Sequence, residues 1–314
     1  MQSERRKKQK VDPFTVIFRL TKDAAVIIVV VVAIKVLLLD IVAVRGNQMS
    51  PSIQSGDLLL TFRLPYLPVI RKVSGPSRNQ PVIFNYPFSK KRGCLRIAGV
   101  PGDTVLVDSG VLKNSRNKKP AKPMQDSIKP IDLLPQEYSP RDFMPPMVLP
   151  PVGTTLMLDS LDLFPFFTAL SIIRQENPRS DCSLSVALEI NGTVAVDYYL
   201  ADFVLYKGAL DAVPDSQRYD WFFWSRLNEY LHLAYPDRMQ RLVFSFSKDD
   251  ARVTEYTVRN RFLFLIADQK KSGYDSRYFG PLMSSRLFGR PLAVLWSFSP
   301  DHKINLKRLG RVIP

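Results

Sequence analysis

Val100-Pro101-Gly102-Asp103-Thr104-Val105-Leu106-Val107 is a tight turn that feeds a strand. Proline presets the first central position of a type II turn, and glycine accepts the positive φ of the second. The run that follows is short, β-branched and alternating, the period of a strand rather than of a helix. Outward from this point the pattern repeats. Leu58 to Phe62, Pro81 to Phe84, Thr154 to Leu158, Ser185 to Ile190 and Arg261 to Ile266 all read as strands. Ser55-Gly56 and Asn191-Gly192 supply further turn signals. The expected body is mainly β and antiparallel.

Two stretches depart from that pattern. Nine of the chain's 25 prolines fall between Pro120 and Pro151, next to a Lys/Arg cluster within 113–129. This predicts an extended surface excursion from about Lys113 to Pro151 whose basic residues face solvent or anionic lipid. Ser216 to Tyr235 spaces Trp221, Trp224, Leu227 and Leu231 three and four apart, and it predicts the one helix of the body.

Composition narrows the chemistry. The 314 residues are 46% hydrophobic and 23% charged, an ordinary globular balance, with 44 basic against 29 acidic residues for a net charge of +15. That sign suits nucleic acid, anionic lipid or a positive flank to a membrane segment, and charge alone does not choose among them. His232 and His302 are the only histidines, and Cys94 and Cys182 the only cysteines. No zinc spacing, no G-x-S-x-G elbow and no phosphate-cradling glycine loop is present. Neither a metal nor another cofactor is expected.

Residues 24–44 contain fifteen Val, Ile or Leu residues, and no polar residue interrupts Ala24 to Ile34. Their length matches the roughly 20 residues of a transmembrane helix. Lys35 and Asp40 oppose insertion, but both lie in its outer half. Arg5, Arg6, Lys7, Lys8, Lys10, Arg19 and Lys22 precede the span and only Arg45 follows closely. The positive-inside rule then puts residues 1–23 in the cytoplasm and the body outside the inner membrane, in contact with lipid. There Cys94 and Cys182 are candidates for pairing, although a separation of 88 positions lends no geometric support.

Four islands in fixed order resemble the signal peptidase I family. Arg45-Gly46-Asn47-Gln48-Met49-Ser50-Pro51-Ser52-Ile53, with Gly56-Asp57 after it, is similar to Ser-Met-x-Pro-Thr-Leu followed by Gly-Asp. Phe84-Asn85-Tyr86-Pro87 is similar to a strand ending in Phe-x-x-Pro. Leu95-Arg96-Ile97-Ala98-Gly99-Val100-Pro101-Gly102-Asp103 resembles Lys-Arg-Val-x-Gly-x-Pro-Gly-Asp. Ala267-Asp268-Gln269, continuing to Gly273-Tyr274-Asp275-Ser276-Arg277-Tyr278-Phe279-Gly280, resembles Gly-Asp-Asn followed by Ser-x-Asp-Ser-Arg-x-Phe/Trp-Gly. The resemblance implies a core domain from residues 45–105 plus 255–314, with 106–254 as an enlarged inserted domain.

The resemblance also implies a serine nucleophile activated by a neutral lysine in a desolvated pocket. Each of those positions is changed. The nucleophile slot holds Gln48, the base slot Leu95, the base-orienting slot Gly273 and the slot of an oxyanion-donating serine Gly46. Glutamine does not attack a carbonyl, and leucine neither accepts nor donates a proton. The positions that match the family's scaffold are Met49, Pro51, Gly56, Asp57, Arg96, Pro101, Gly102, Asp103, Asp268, Asp275, Ser276 and Arg277. On a strand, Asp275 and Arg277 would share a face and form an ion pair. Ser50 and Lys91 are the residues to which the chemistry would have moved, at about 6–7 Å and 13 Å along a strand from the original slots.

Three functions follow as expectations. The first is a degenerate family member that binds secretory signal segments, or an active signal peptidase, without cutting. The second is a working serine endopeptidase with relocated residues. The third is an envelope protein that binds anionic lipid. Nucleic acid is not an expected partner.

Overall fold

The computed structural model describes residues 13–66, 76–116, 140–195, 197–199, 204–206, 210–234, 239–269, 273–298 and 303–314. Its centre is a curled, wholly antiparallel sheet of seven strands. In spatial order they are Leu39–Ala43, Asp57–Phe62, Leu287–Ser297, Pro81–Asn85, Arg92–Gly99, Phe262–Ile266 and Leu282–Met283. The strands predicted by alternation all form, within a residue or three of the expected ends. The Asp57–Phe62 strand alternates buried and half-buried residues, as one covered face requires.

The stretch 106–254 adds smaller sheets and two long helices. Cys182–Ile190 and Gln240–Lys248 pair over nine residues, and Val111–Arg116, Asp103–Asp108 and Met144–Val148 form a three-stranded sheet. Met144–Val148 falls inside the expected excursion, so the extended region is shorter than its proline content suggested. Pro145 and Pro146 are tolerated because this strand lies at a sheet edge. Residues 117–139 lie outside the described residues, together with most of the basic cluster.

Two helical expectations are corrected. Ser216 to Tyr235 is broken at Tyr219-Asp220 into Asp215–Arg218 and Trp221–Ala234, with Tyr235 outside the described residues. The indole of Trp224 is fully buried and donates to the Arg218 carbonyl at 2.8 Å, which holds the break closed. A second long helix, Leu163–Glu176, was not foreseen. Its phenylalanine run looks strand-like, but Pro165 sits in the first turn, where a missing N–H costs nothing.

The N-terminal helix spans Pro13–Leu37 rather than 24–44. Residues Leu39–Ala43 instead pair with Asp57–Phe62 as the edge strand of the main sheet, and Asp40 lies 3.7 Å from Arg63. The uncharged helical run from Ala24 to Ile34 covers about 16 Å, roughly half of the 30 Å hydrocarbon core. No helix among the described residues is long and apolar enough to cross a membrane.

Two large hydrophobic clusters result, with a small third one of Ile172, Val258 and Phe262. One holds Met49, Leu59, Ile83, Phe84, Leu95, Ile97 and Val294, and the other Val105, Phe167, Ile173, Val186, Trp224 and Phe246. Burial of such side chains contributes about 1.5–3 kcal/mol each. The Phe262–Ile266 strand is buried throughout and serves both clusters: Leu263 and Leu265 face the first, Phe264 and Ile266 the second. Helix Leu163–Glu176 is tied across the same boundary. The buried Gln175 amide donates to the Pro281 carbonyl at 2.7 Å and accepts from the Met283 N–H at 3.0 Å.

At the junction Arg277 is completely buried. It reaches Asp275 at 2.9 and 3.0 Å and Asp142 at 2.7 Å. The pair is not strand-borne as expected: Asp275 caps the short helix Ser276–Phe279, and Arg277 folds back onto its own cap. Replacing Arg277 by Met leaves two buried carboxylates without their cation, and urea unfolding should report a loss of about 3–5 kcal/mol.

A second prediction concerns acid. Burial alone would push Asp57 and Asp103 upward, but hydrogen bonds from Arg308 and Arg78 respectively outweigh it and hold both below the ordinary carboxylate range. A carboxylate that is more acidic in the folded state stabilises the fold above its unfolded pKa and loses that contribution as pH falls through the folded value. Stability should therefore decline below about pH 4. Urea melts at pH 7 and pH 3 should show a smaller acid-induced loss in Asp57→Asn than in the unaltered protein.

Candidate functional site

The four sequence islands converge at one edge of the main sheet. The Gln48 carbonyl accepts from the Gln269 N–H at 2.8 Å, and Ser52 Oγ donates to Asp268 at 3.0 Å, so the first island is pinned to the fourth. Arg96 of the third island grips Asp268 through two bonds of 2.9 Å. Tyr86 of the second island donates from its hydroxyl to Gln48 Oε1 at 3.0 Å.

The scaffold residues account for this convergence. Asp57 accepts from Arg308 at 3.0 and 2.6 Å and from the Gln54 N–H at 2.9 Å, so it closes the turn that follows Met49. Gly56 sits at φ +91°, where an added Cβ would lie 2.1 Å from the Phe298 carbonyl oxygen. Asp103 ties the Pro101-Gly102 turn to the Val100 N–H at 2.9 Å and pairs with Arg78. Asp275 accepts from the Ala267 N–H at 3.1 Å, and Ser276 Oγ accepts from Leu265 N–H at 3.0 Å. These two residues hold the loop after the shared strand against that strand. Met49 is buried in the core, while Pro51 is exposed on the turn.

Within this frame the reacting slots carry no acid–base chemistry. Gln48 is half-buried and its amide oxygen is taken by Tyr86. Leu95 faces Val82 across the ladder and is fully buried in the same apolar cluster as Met49. The dry surroundings that would depress a lysine are present, and the amine is not. Gly46 has φ +89°, which would strain a serine, although nothing stands within 4 Å of an added Cβ.

The candidates for relocated chemistry fare no better. Ser50 lies in a turn whose N–H bonds to the Asn47 carbonyl at 3.1 Å, not in the extended segment that would align it with Gln48. Lys91 is exposed at the turn before Arg92–Gly99, far from the desolvation a lysine base requires. Cys94 and Cys182 are both free thiols, and burial pushes Cys94 up to about 12.

Three contributors were not read from the sequence. Arg308 is one, because nothing local links it to Asp57. Tyr86 is the second: its ring stacks with Phe84, Tyr274 and Phe279 at centroid distances of 4.8, 5.8 and 5.7 Å. Burial pushes its phenol upward, which keeps the proton that Gln48 accepts. Gly93 makes room for it, since a Cβ there would stand 2.7 Å from the ring. The third is Ala267. A Cβ added to Gly273 would lie 2.1 Å from the Ala267 Cβ, so the two positions hold one methyl between them. The family pattern has glycine then serine at these places, and this chain has alanine then glycine.

A cleft of about 830 Å³ opens from Gln48 toward the inserted region, lined by Tyr86, Phe88, Tyr219, Trp221 and Tyr274 among others. Its size suits a peptide segment or a small ligand.

The exchange at 267 and 273 makes a sharp prediction. Gly273→Ser alone should destabilise by about 1–3 kcal/mol through overpacking. Ala267→Gly in the same chain should recover most of that loss, and a double-mutant cycle by thermal melting measures the coupling.

The curated proteins contain no match to this chain. A family model described as signal peptidase, peptidase S26, matches residues 17–141. That stretch holds Gln48, Leu95 and the scaffold residues of the first three islands, and over it the chain is similar to the signal peptidase family.

Proposed function

We propose that this chain serves signal-peptide processing without cutting, by holding the signal-bearing segment of a secretory preprotein beside the membrane. The match of residues 17–141 to a signal peptidase family model supports a role in signal-peptide processing. The observation that carries the non-cleaving reading is the contrast at the site. Asp57, Arg96, Asp103, Asp268 and Arg277 all keep charge-paired partners, while Gln48, Leu95 and Gly273 supply no nucleophile, base or orienting hydroxyl. An extended segment would enter the cleft beside Gln48 and Tyr274.

Helix Pro13–Leu37 is the proposed anchor. Every residue from Leu20 to Ala33 is exposed, Val26 to Val32 at 50–66%, so its apolar surface packs on nothing in the body. Because its uncharged run covers only about half of the hydrocarbon core, this anchoring requires Lys22 and Lys35 to extend their charged ends to opposite interfaces, with the lysines and arginines that precede the helix on the cytoplasmic side and the body outside the inner membrane.

The experiment places p-benzoylphenylalanine at Tyr274 in the full chain and irradiates membranes that are exporting a labelled preprotein. Crosslinks to the uncut preprotein are expected, together with no cleavage when the purified chain is mixed with it. Crosslinks to an active signal peptidase alone would move the partner from substrate to enzyme. Cleavage that Ser50→Ala abolishes would replace the reading with a relocated active site.

A further inference from the structure

The cleft that begins at Gln48 contains two arginines in opposite electrostatic situations. Arg141 is already neutralised. It meets Asp220 through bonds of 2.5 and 2.7 Å and lies over Trp221, Phe222 and Tyr278. Arg174, on helix Leu163–Glu176, rests its guanidinium 3.5 Å from the centroid of Tyr219 and 4.4 Å from that of Phe88. Among the described residues no carboxylate or carbonyl takes any of its five donors. Asp215 also lines the cleft but stands beyond ion-pair distance, and Lys91 adds a second positive charge.

An uncompensated guanidinium half-removed from water is expensive unless something replaces its hydration. Ring contacts supply part of that, and they fix the plane of the group, because Tyr219 is itself held by a 2.8 Å bond from its hydroxyl to the Cys182 carbonyl. With aromatic rings on two sides and no protein acceptor on its nitrogens among the described residues, its donors are left to the cleft it lines. The forked donor edge of a guanidinium matches the two oxygens of a carboxylate. Burial lowers the pKa of Arg174, and the charge of Asp215, which makes no ion pair with it, offsets this only in part.

We infer that Arg174 is the anchor of a carboxylate-binding subsite, which takes an acidic side chain of the extended peptide lying in the cleft. The peptide is preferred to a lipid phosphate because the cleft is continuous with Gln48, at the nucleophile slot. The inference rests on the proposed peptide-binding function and adds a sequence preference to it. One acidic residue is favoured at a fixed distance from the segment beside Gln48.

The test uses the full chain in detergent and a series of fluorescent peptides. Each carries a small-x-small motif and a single glutamate moved along it, and each has a glutamine twin. Fluorescence anisotropy should find one position at which glutamate binds about tenfold or more tighter than glutamine, the scale of one charge-assisted pair. Arg174→Gln should make the twins equal at that position, and Arg174→Lys should keep part of the preference. Thermal melting confirms that both variants are folded. Twins that bind alike at every position of the unaltered chain overturn the subsite and leave the proposed function standing. Failure of every peptide to bind overturns both. If the twins bind alike and a short-chain anionic phospholipid binds in an Arg174-dependent way, the guanidinium serves a headgroup phosphate, and the peptide subsite is wrong.

Discussion

Arg277 lies at zero exposure with carboxylates on two sides, Asp275 from its own turn and Asp142 from the inserted region. Removing three charged groups from water is costly, and the return depends on geometry that leaves none of them alone. That condition fixes more than one ion pair. Asp275 must also cap Ser276–Phe279 and accept from Ala267, so the loop after Phe262–Ile266 is held in one shape. Asp142 must sit at the head of Met144–Val148, so the inserted sheet is docked where the cleft needs a wall. The site is downstream of this arrangement.

Much of the fold was legible because alternation and turn chemistry are local. Asp57–Phe62 covers one face in alternation, and Phe262–Ile266 announces itself as a short continuous run of apolar residues. What misled was context. Leu39–Ala43 is as apolar as the helix before it, and only its pairing with Asp57–Phe62 makes it a strand. Helix Leu163–Glu176 buries Phe164, Phe166 and Phe167 together, so its apolar pattern is too broad to show a clean helical stripe. At the site, residue identity at the reacting slots was readable, whereas the Tyr86 contact, the Arg308 clamp and the Ala267–Gly273 exchange depend on distances that no spacing encodes.

The residues at the positions of the resemblance's reacting groups are packed against their neighbours rather than left loose. Tyr86 satisfies Gln48, Leu95 fills a dry apolar site, and one methyl at Ala267 occupies the space of a side chain at Gly273. Each change is compatible with its neighbours, and so reverting any one of them in isolation meets resistance. Recognition, as proposed above, asks nothing of these positions beyond that packing.

The strand Phe262–Ile266 gives its odd residues to one core and its even residues to the other. Two bodies that own separate strands can melt one after the other, but bodies that share a strand divide a single reserve of cohesion. Free energy lost on either face of this strand is withdrawn from both, and free energy gained by filling the cleft that borders them is credited to both. The 106–254 region is therefore coupled to the sheet that holds the four sequence islands, because loosening either face of the shared strand loosens the support of both cores.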